Sequence, residues 1–379
     1  MGLFNVYPLF DITPVRAQDV FIYDDQDHEY LDLYGGHAVI SIGHSHPYYV
    51  NMITEQLKKM AFYSNSIQNP LQEEMAAKLE ELSGCKDYQL FLCNSGAEAN
   101  ENALKMASFV TGKRKVIAFK NSFHGRTSAA VAATDSPKIV APINAQQEVI
   151  FCELGDTATV EKALETGDVC CIIIETIQGV GGLDEAETSF FHDIYSLSRK
   201  YDCLIIADEV QSGFGRTGDF FAFQKHNWTP DIIPIAKGMG NGFPVGGILI
   251  HPDIKPVSGM LGTTFGGNHL ACAAVIAVLD VIKAEHLMER TLEMSAYFKE
   301  QLKDIHEIKR IKGRGLMLGL EFDFPIAALR KALIVEHYMF TGNSKNPNLI
   351  RILPPMTIRE RQIDSFVDAL KIALKSIAS

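Results

Sequence analysis

The chain has 379 residues, 47% of them hydrophobic and 21% charged, a balance that builds a sizeable core and excludes a disordered chain. Its 35 basic and 46 acidic side chains give a formal charge of −11, with the acids scattered and no basic block, so nucleic acid and anionic membranes have no electrostatic footprint here. Any anionic ligand has to be held by local groups.

At the amino terminus, MGLFNVYPLF has no basic segment followed by a long apolar one, and Val6 stands where a myristoylation signal needs Ser or Thr. No later run approaches the roughly 18 apolar residues of a membrane helix. Short apolar runs rich in β-branched residues then recur at 89–93, 115–119, 148–152, 169–174, 203–207, 231–236 and 246–250. Their hydrophobicity is continuous rather than alternating, which predicts strands buried on both faces. Stretches with apolar residues three to four apart predict helices at 71–82, 97–111 and 188–201. The alternation predicts an α/β fold with a mostly parallel, seven-stranded sheet. Beyond about 280 the pattern changes to a long helix at 284–308, a strand at 316–322, a helix near 326–337, a strand at 349–353 and a helix from 359. We expect a large domain over 41–280 and a smaller α/β domain over 281–379, joined by residues 1–40. The seven cysteines (Cys85, Cys93, Cys152, Cys170, Cys171, Cys203 and Cys272) are odd in number and mostly lie within apolar runs, the usage of a reducing cytoplasm.

Ligands of an open parallel sheet collect outside the carboxyl ends of its strands, so the residues following each run carry most information. After 89–93 comes Asn94-Ser95-Gly96-Ala97-Glu98, opening a helix with small residues and free amides that suit a phosphate, although many helices begin this way without a ligand. Asp208 and Glu209 end one run and Lys237 ends another. A strand-end lysine can snorkel to solvent and an aspartate can cap a turn. Used together, a partly desolvated Lys237 supplies the amine for a carbonyl cofactor, while Asp208 keeps a pyridinium nitrogen protonated. Ser122-Phe123-His124-Gly125-Arg126 offers the aromatic lid such a ring needs.

Taken in order, SIGHSHP (41–47), NSGAEANENALK (94–105), SFHGRT (122–127), DEVQSGFGRTG (208–218), AKGMGNGFPVGG (236–247), GTTFGGN (262–268) and LIRILPP (349–355) resemble the class III, ornithine-type branch of the fold type I, pyridoxal-phosphate-dependent aminotransferases. Within that branch the likeness is strongest to the acetylornithine aminotransferases. The resemblance implies the fold type I architecture and pyridoxal 5′-phosphate held covalently by Lys237. It implies that Ser95, Gly96 and Ala97 bind the phosphate, with Thr264 reaching in from the partner subunit of a homodimer. Phe123 and Val210 are implied on the two faces of the ring, Asp208 at its nitrogen and Gln211 at its hydroxyl. Arg126 and Arg351 are implied as carboxylate clamps, a task for which a planar guanidinium suits better than an ammonium, and Thr263 is implied at the substrate. Two clamps imply a dicarboxylate substrate, with 2-oxoglutarate as amino acceptor.

Gly36 falls where ornithine aminotransferases resemble one another in a tyrosine that meets a free α-amine, so its glycine favours an acylated donor such as N2-acetylornithine. The alternative is that Gly35-Gly36 is only a turn. Succinylornithine, ornithine and 4-aminobutyrate are the rival donors, and an isomerase or decarboxylase on the same fold is the rival of different class. Three departures from the family pattern stand out. GEGG reads Gly179-Val180-Gly181-Gly182, leaving Arg351 without its usual glutamate, for which Glu185 is a candidate substitute; Thr176 replaces a proline; and His37 with Ile40 alters the acyl side, where His37 is a candidate contact for an extra carboxylate. His44-x-His46 lacks the cysteines or carboxylates that complete a metal set, so no metal is expected. Glu209 adjoins Asp208 on an extended segment and points the opposite way.

Overall fold

The computed structural model describes residues 1–378. Near the amino end, β1 (Pro14–Gln18) and β2 (Phe21–Asp24) form a hairpin whose tight turn uses Asp19 at a positive φ of 54°, and β3 (Glu29–Asp32) pairs antiparallel with β2. Beyond β3, Gly35, Gly36, His37 and Ala38 all have positive φ, at 53°, 54°, 70° and 63°, making one turn of left-handed helix. L-residues resist that conformation by about 1–2 kcal/mol each, so two glycines ease its first half and His37 and Ala38 carry strain. Asp32 Oδ1 anchors the turn by accepting from the amides of Tyr34 and Gly35, at 3.0 and 2.8 Å.

Each of the seven apolar runs is a strand, within a residue at either end: β4 (Gln89–Cys93), β5 (Lys115–Phe119), β6 (Val149–Cys152), β7 (Val169–Ile174), β8 (Leu204–Ala207), β9 (Ile232–Ile235) and β10 (Gly246–Ile250). They form one sheet in the order β4-β10-β9-β8-β7-β5-β6. Only β10 runs antiparallel to its neighbours, so β4, β5, β7, β8 and β9 present their carboxyl ends along the same edge. Every residue of β7 is buried, which is why that run shows no polar alternation.

The helix expected over 284–308 is the shorter Leu287–Leu302, and a helix His269–Ala284 precedes it, the two separated by Glu285 and by His286 at a φ of 51°. A left-handed residue cannot continue a right-handed helix, so the chain reverses there. The first of the two was not foreseen because it is apolar nearly all round, buried between the sheet and the helices Pro47–Lys59 and Pro70–Ser83, and so lacks a periodic stripe. Past residue 302 come β11 (Arg310–Arg314), β12 (Met317–Glu321), β13 (Met339–Phe340), β14 (Gly342–Asn343) and β15 (Leu349–Ile352). β11, β12, β15 and β14 form a second sheet, while β13 pairs in parallel with β3 and so ties the amino-terminal strands to the carboxyl-terminal region. The helices Ala327–Val335, Leu287–Leu302 and Glu360–Ala378 pack together in that region.

Candidate active site

The common edge of the large sheet brings Ser95, Gly96 and Ala97 (after β4), Phe123 and Arg126 (after β5), Asp208, Val210 and Gln211 (after β8) and Lys237 (after β9) around one cavity of about 360 Å³. A second cavity, of about 570 Å³, shares Phe123, Arg126, Gln211 and Lys237 with the first and adds Gly36, His37, Val180 and Arg351. Thr263 and Thr264 line neither cavity of their own chain. Thr263 is held in its loop, its hydroxyl accepting from the Gly266 amide at 3.1 Å, and Thr264 is exposed.

Lys237 sits directly after β9 with φ 49°, a strained placement for a side chain. Its amine makes no hydrogen bond or ion pair among the described residues and faces both cavities. Burial pulls it down to about 8, with Arg351 pulling the same way and Asp208 and Glu175 opposing. A half-buried amine that releases its proton near neutrality is the nucleophile that a carbonyl cofactor needs.

Asp208 is buried beneath the same cavity. Three donors converge on its carboxylate: Asn100 Nδ2 at 2.8 Å and His124 Nδ1 at 2.7 Å on Oδ2, and the Val210 amide at 3.0 Å on Oδ1. Glu209 points the other way, accepting from Ser212 and from the amides of Ala222 and Phe223, and burial pushes it up to about 7. Glu175, directly after β7, accepts from the amides of Phe123 and Gly179, both at 2.9 Å, and burial raises it. Asn100, His124 and Glu175 were given no role from sequence. Glu175 carried the same signal as Asp208, a carboxylate immediately after a fully buried strand; Asn100 and His124 were visible only as members of longer motifs.

The loop after β4 is shaped by close approach. Ser95 caps the helix Gly96–Thr111 with its hydroxyl accepting from the Glu98 amide at 3.2 Å. A Cβ on Gly96 would come within 2.5 Å of Val210 Cγ1, and one on Gly246 within 2.7 Å of Ser95 O, so neither position has room for a side chain. A cradle that side chains would fill, an uncommitted lysine and a buried carboxylate held by donors together fit pyridoxal 5′-phosphate.

Arg126 is exposed to both cavities and makes no hydrogen bond or ion pair among the described residues. Arg351, on β15 opposite Gly319 and Gly342, is buried and donates to Asn343 O (2.6 Å), Gly179 O (3.1 Å), Gln211 Oε1 (3.3 Å) and the Tyr34 hydroxyl (3.0 Å). Glu185 does not replace the absent glutamate: its carboxylate is taken by Arg314 and His226, both at 2.9 Å. A Cβ built on Gly36 meets nothing within 4 Å, and the positive φ there also suits glycine, so the open space and the turn coexist. His44 and His46 pair with different carboxylates, Asp32 at 2.8 Å and Glu285 at 2.9 Å.

A seven-stranded, mostly parallel sheet with a free lysine, a buried aspartate and a phosphate-shaped helix start along its carboxyl edge defines a pyridoxal-phosphate enzyme of the α/β class. The family model for class-III aminotransferases matches residues 5–374, and the chain belongs to that family of pyridoxal-phosphate-dependent aminotransferases. It is 38% identical to the acetylornithine aminotransferase of Bacillus subtilis (strain 168), over 98% of this chain and 97% of that one. Among solved structures it is similar to the ornithine aminotransferase of Toxoplasma gondii ME49, with a TM-score of 0.89 and 25% identity over 98% of this chain and 92% of that one. It is also similar to the acetylornithine aminotransferase of Elizabethkingia anophelis, with a TM-score of 0.84 and 28% identity over 99% and 96%.

Proposed function

We propose that this aminotransferase moves the δ-amino group of N2-acetylornithine to 2-oxoglutarate, giving N-acetylglutamate 5-semialdehyde and glutamate within arginine biosynthesis. The observation that carries the proposal is the pair of arginines, Arg126 and Arg351, that share one cavity with the Lys237 amine and with the open space beside Gly36. Curated relatives named acetylornithine aminotransferase, alike over nearly the whole chain, support the donor. Pyridoxal phosphate supplies a carbonyl for amine exchange and a ring that accepts the electrons of the breaking C–H bond.

In this reading Ser95, Gly96 and Ala97 grip the phosphate through free amides at the helix start, helped by Thr264 of a second copy of the chain. Phe123 and Val210 would hold the ring, Gln211 would meet its hydroxyl, and Asp208 would keep its nitrogen protonated. Lys237 would hold the cofactor through its amine and, when that amine is free, would move the proton at the donor's δ-carbon. Arg126 holds the α-carboxylate of the acylornithine and later the distal carboxylate of glutamate; Arg351 holds the α-carboxylate of glutamate. The exposed pair Phe62 and Phe265, 5.2 Å apart beside Thr264, supports a homodimer face. Seven buried, unpaired cysteines support a cytoplasmic setting.

A second reading, N-succinylornithine as donor, is favoured by a surplus of cations on the acyl side. Arg330, whose hydrogen bond goes to the neutral Thr341 carbonyl, acts electrostatically on Tyr34, His37 and Arg351. The test is kcat/KM for N-acetylornithine, N-succinylornithine, ornithine and 4-aminobutyrate with 2-oxoglutarate. The first proposal expects N-acetylornithine to lead by at least tenfold. A lead for N-succinylornithine establishes the second reading, and a lead for either unacylated amine overturns both. Turnover that consumes no keto acid would mean an isomerase or decarboxylase.

A further inference from the structure

Arg351 is a buried cation whose four hydrogen bonds all go to neutral acceptors, and no carboxylate pairs with it among the described residues. Removing a guanidinium from water is costly unless an anion or good acceptors take over its solvation. Three of the acceptors, the carbonyls of Asn343 and Gly179 and the Gln211 amide, belong to the local chain and to the proposed cofactor shell. The fourth, Tyr34, reaches in from the amino-terminal segment, 317 positions away in sequence.

The phenol is held from both sides. A Cβ on Gly342 would lie 2.2 Å from Tyr34 Cε2, so only glycine there lets the ring lie against β14, beside Arg351 on the paired strand β15. The Tyr34 hydroxyl is 2.5 Å from His37 Nδ1. That hydroxyl accepts from Arg351 Nη2 and, where the imidazole is neutral with Nδ1 unprotonated, donates its own hydrogen to His37. Burial and the nearby charges of Arg351, Lys237 and Arg330 push His37 down to about 4, so the ring is neutral at ordinary pH. His37 comes within reach only because it stands in the left-handed turn at φ 70°. The turn's strain thus sets an imidazole that fixes which way the phenol's lone pairs face.

We propose that Tyr34 and His37 gate Arg351, the phenol holding the guanidinium while no dicarboxylate is bound and yielding it when one arrives. The proposal rests on the reading of Arg351 as the clamp for the α-carboxylate of glutamate and 2-oxoglutarate. A carboxylate offers the guanidinium a negative charge and two parallel hydrogen bonds where the phenol offers one neutral acceptor, so a dicarboxylate displaces the phenol. An uncharged acyl group does not, which leaves Arg351 occupied while the acylornithine reacts. A bare Arg351 would instead compete with Arg126 for the donor's single carboxylate and misplace its δ-amine.

The experiment measures binding of glutarate, a dicarboxylate with neither carbonyl nor amine, to the holoenzyme by calorimetry and by the cofactor's absorbance. Tyr34→Phe keeps the ring against Gly342 and removes only the acceptor. We expect it to tighten glutarate about 10- to 100-fold, the order of one hydrogen bond to a charged group. His37→Asn, an asparagine tolerating positive φ, frees the phenol to turn and is expected to tighten glutarate in the same direction by less. Arg351→Lys is expected to weaken it at least tenfold. Unchanged or weaker binding in Tyr34→Phe, with Arg351→Lys still weakened, overturns the gate alone and makes Tyr34 a direct carboxylate contact or a packing residue. Binding indifferent to Arg351→Lys overturns the clamp and the gate with it.

Discussion

Lys237 combines a strained backbone, an unpartnered amine and a pKa brought down to about 8 by burial. In the unfolded chain a lysine stays protonated to about 10.4. Between those values the unfolded chain binds more protons, so the cofactor-free protein carries the full penalty of the buried ammonium below pH 8 and gains stability as pH rises above it. Labelling the cofactor-free protein with an amine reagent across pH is expected to show Lys237 reacting with a midpoint near 8; a midpoint above 10 would contradict this. Asp208 supplies a fixed negative charge beside the site. Asp208→Asn, nearly the same in shape, is expected to lower kcat on the order of 10²- to 10³-fold while cofactor occupancy persists, read by single-turnover kinetics. Both residues were legible because a charge directly after a buried run is conspicuous. Tyr34 and Arg330 were not, since what matters about them is who they face, and those contacts join positions hundreds of residues apart.

At the scale of elements, the proposed phosphate cradle depends on Gly96, at the helix start, leaving room for the Val210 side chain of the loop after β8. Gly96→Ala places a methyl 2.5 Å from Val210 Cγ1, so we expect about 1–3 kcal/mol of destabilisation by thermal melting and poorer cofactor retention. Val210→Ala in the same chain is expected to restore most of the stability, because the clash is with that side chain alone; no recovery would mean that the backbone of the loop has moved. Strands were the best-read elements: burial on both faces leaves a continuous apolar run bounded by polar residues, and each such run proved to be a strand of one sheet. Helices were read where one face meets water. His269–Ala284, with eleven buried residues, has no wet face, and the short β13 and β14 are too brief to leave a pattern. The left-handed turn at Gly35–Ala38 was hinted at by its two glycines, but nothing in the residues announces that His37 and Ala38 follow them.

For the whole molecule, the amino-terminal strands and the carboxyl-terminal region share a sheet through β3 and β13. We propose that the two domains divide near Glu285-His286, since the helix His269–Ala284 runs through the boundary expected at 280; limited proteolysis is expected to cut there first. Thr264 lies outside both cavities of its own chain, and a site shared between copies is the reading that gives it a role. Mixing inactive Lys237→Ala chains with inactive Thr264→Asp chains then rebuilds one complete site per hybrid dimer. Activity should return to about a quarter of wild type per chain after random reassortment, and sites built within single chains would return none. Lys237 is the residue we propose to carry pyridoxal phosphate. The most direct measurement is borohydride reduction of the purified holoenzyme followed by peptide mass spectrometry. A stable cofactor adduct on the peptide containing Lys237, absent after prior conversion by the amino donor and restored by 2-oxoglutarate, is the expected result; an adduct on another lysine, or one indifferent to donor and acceptor, would contradict it.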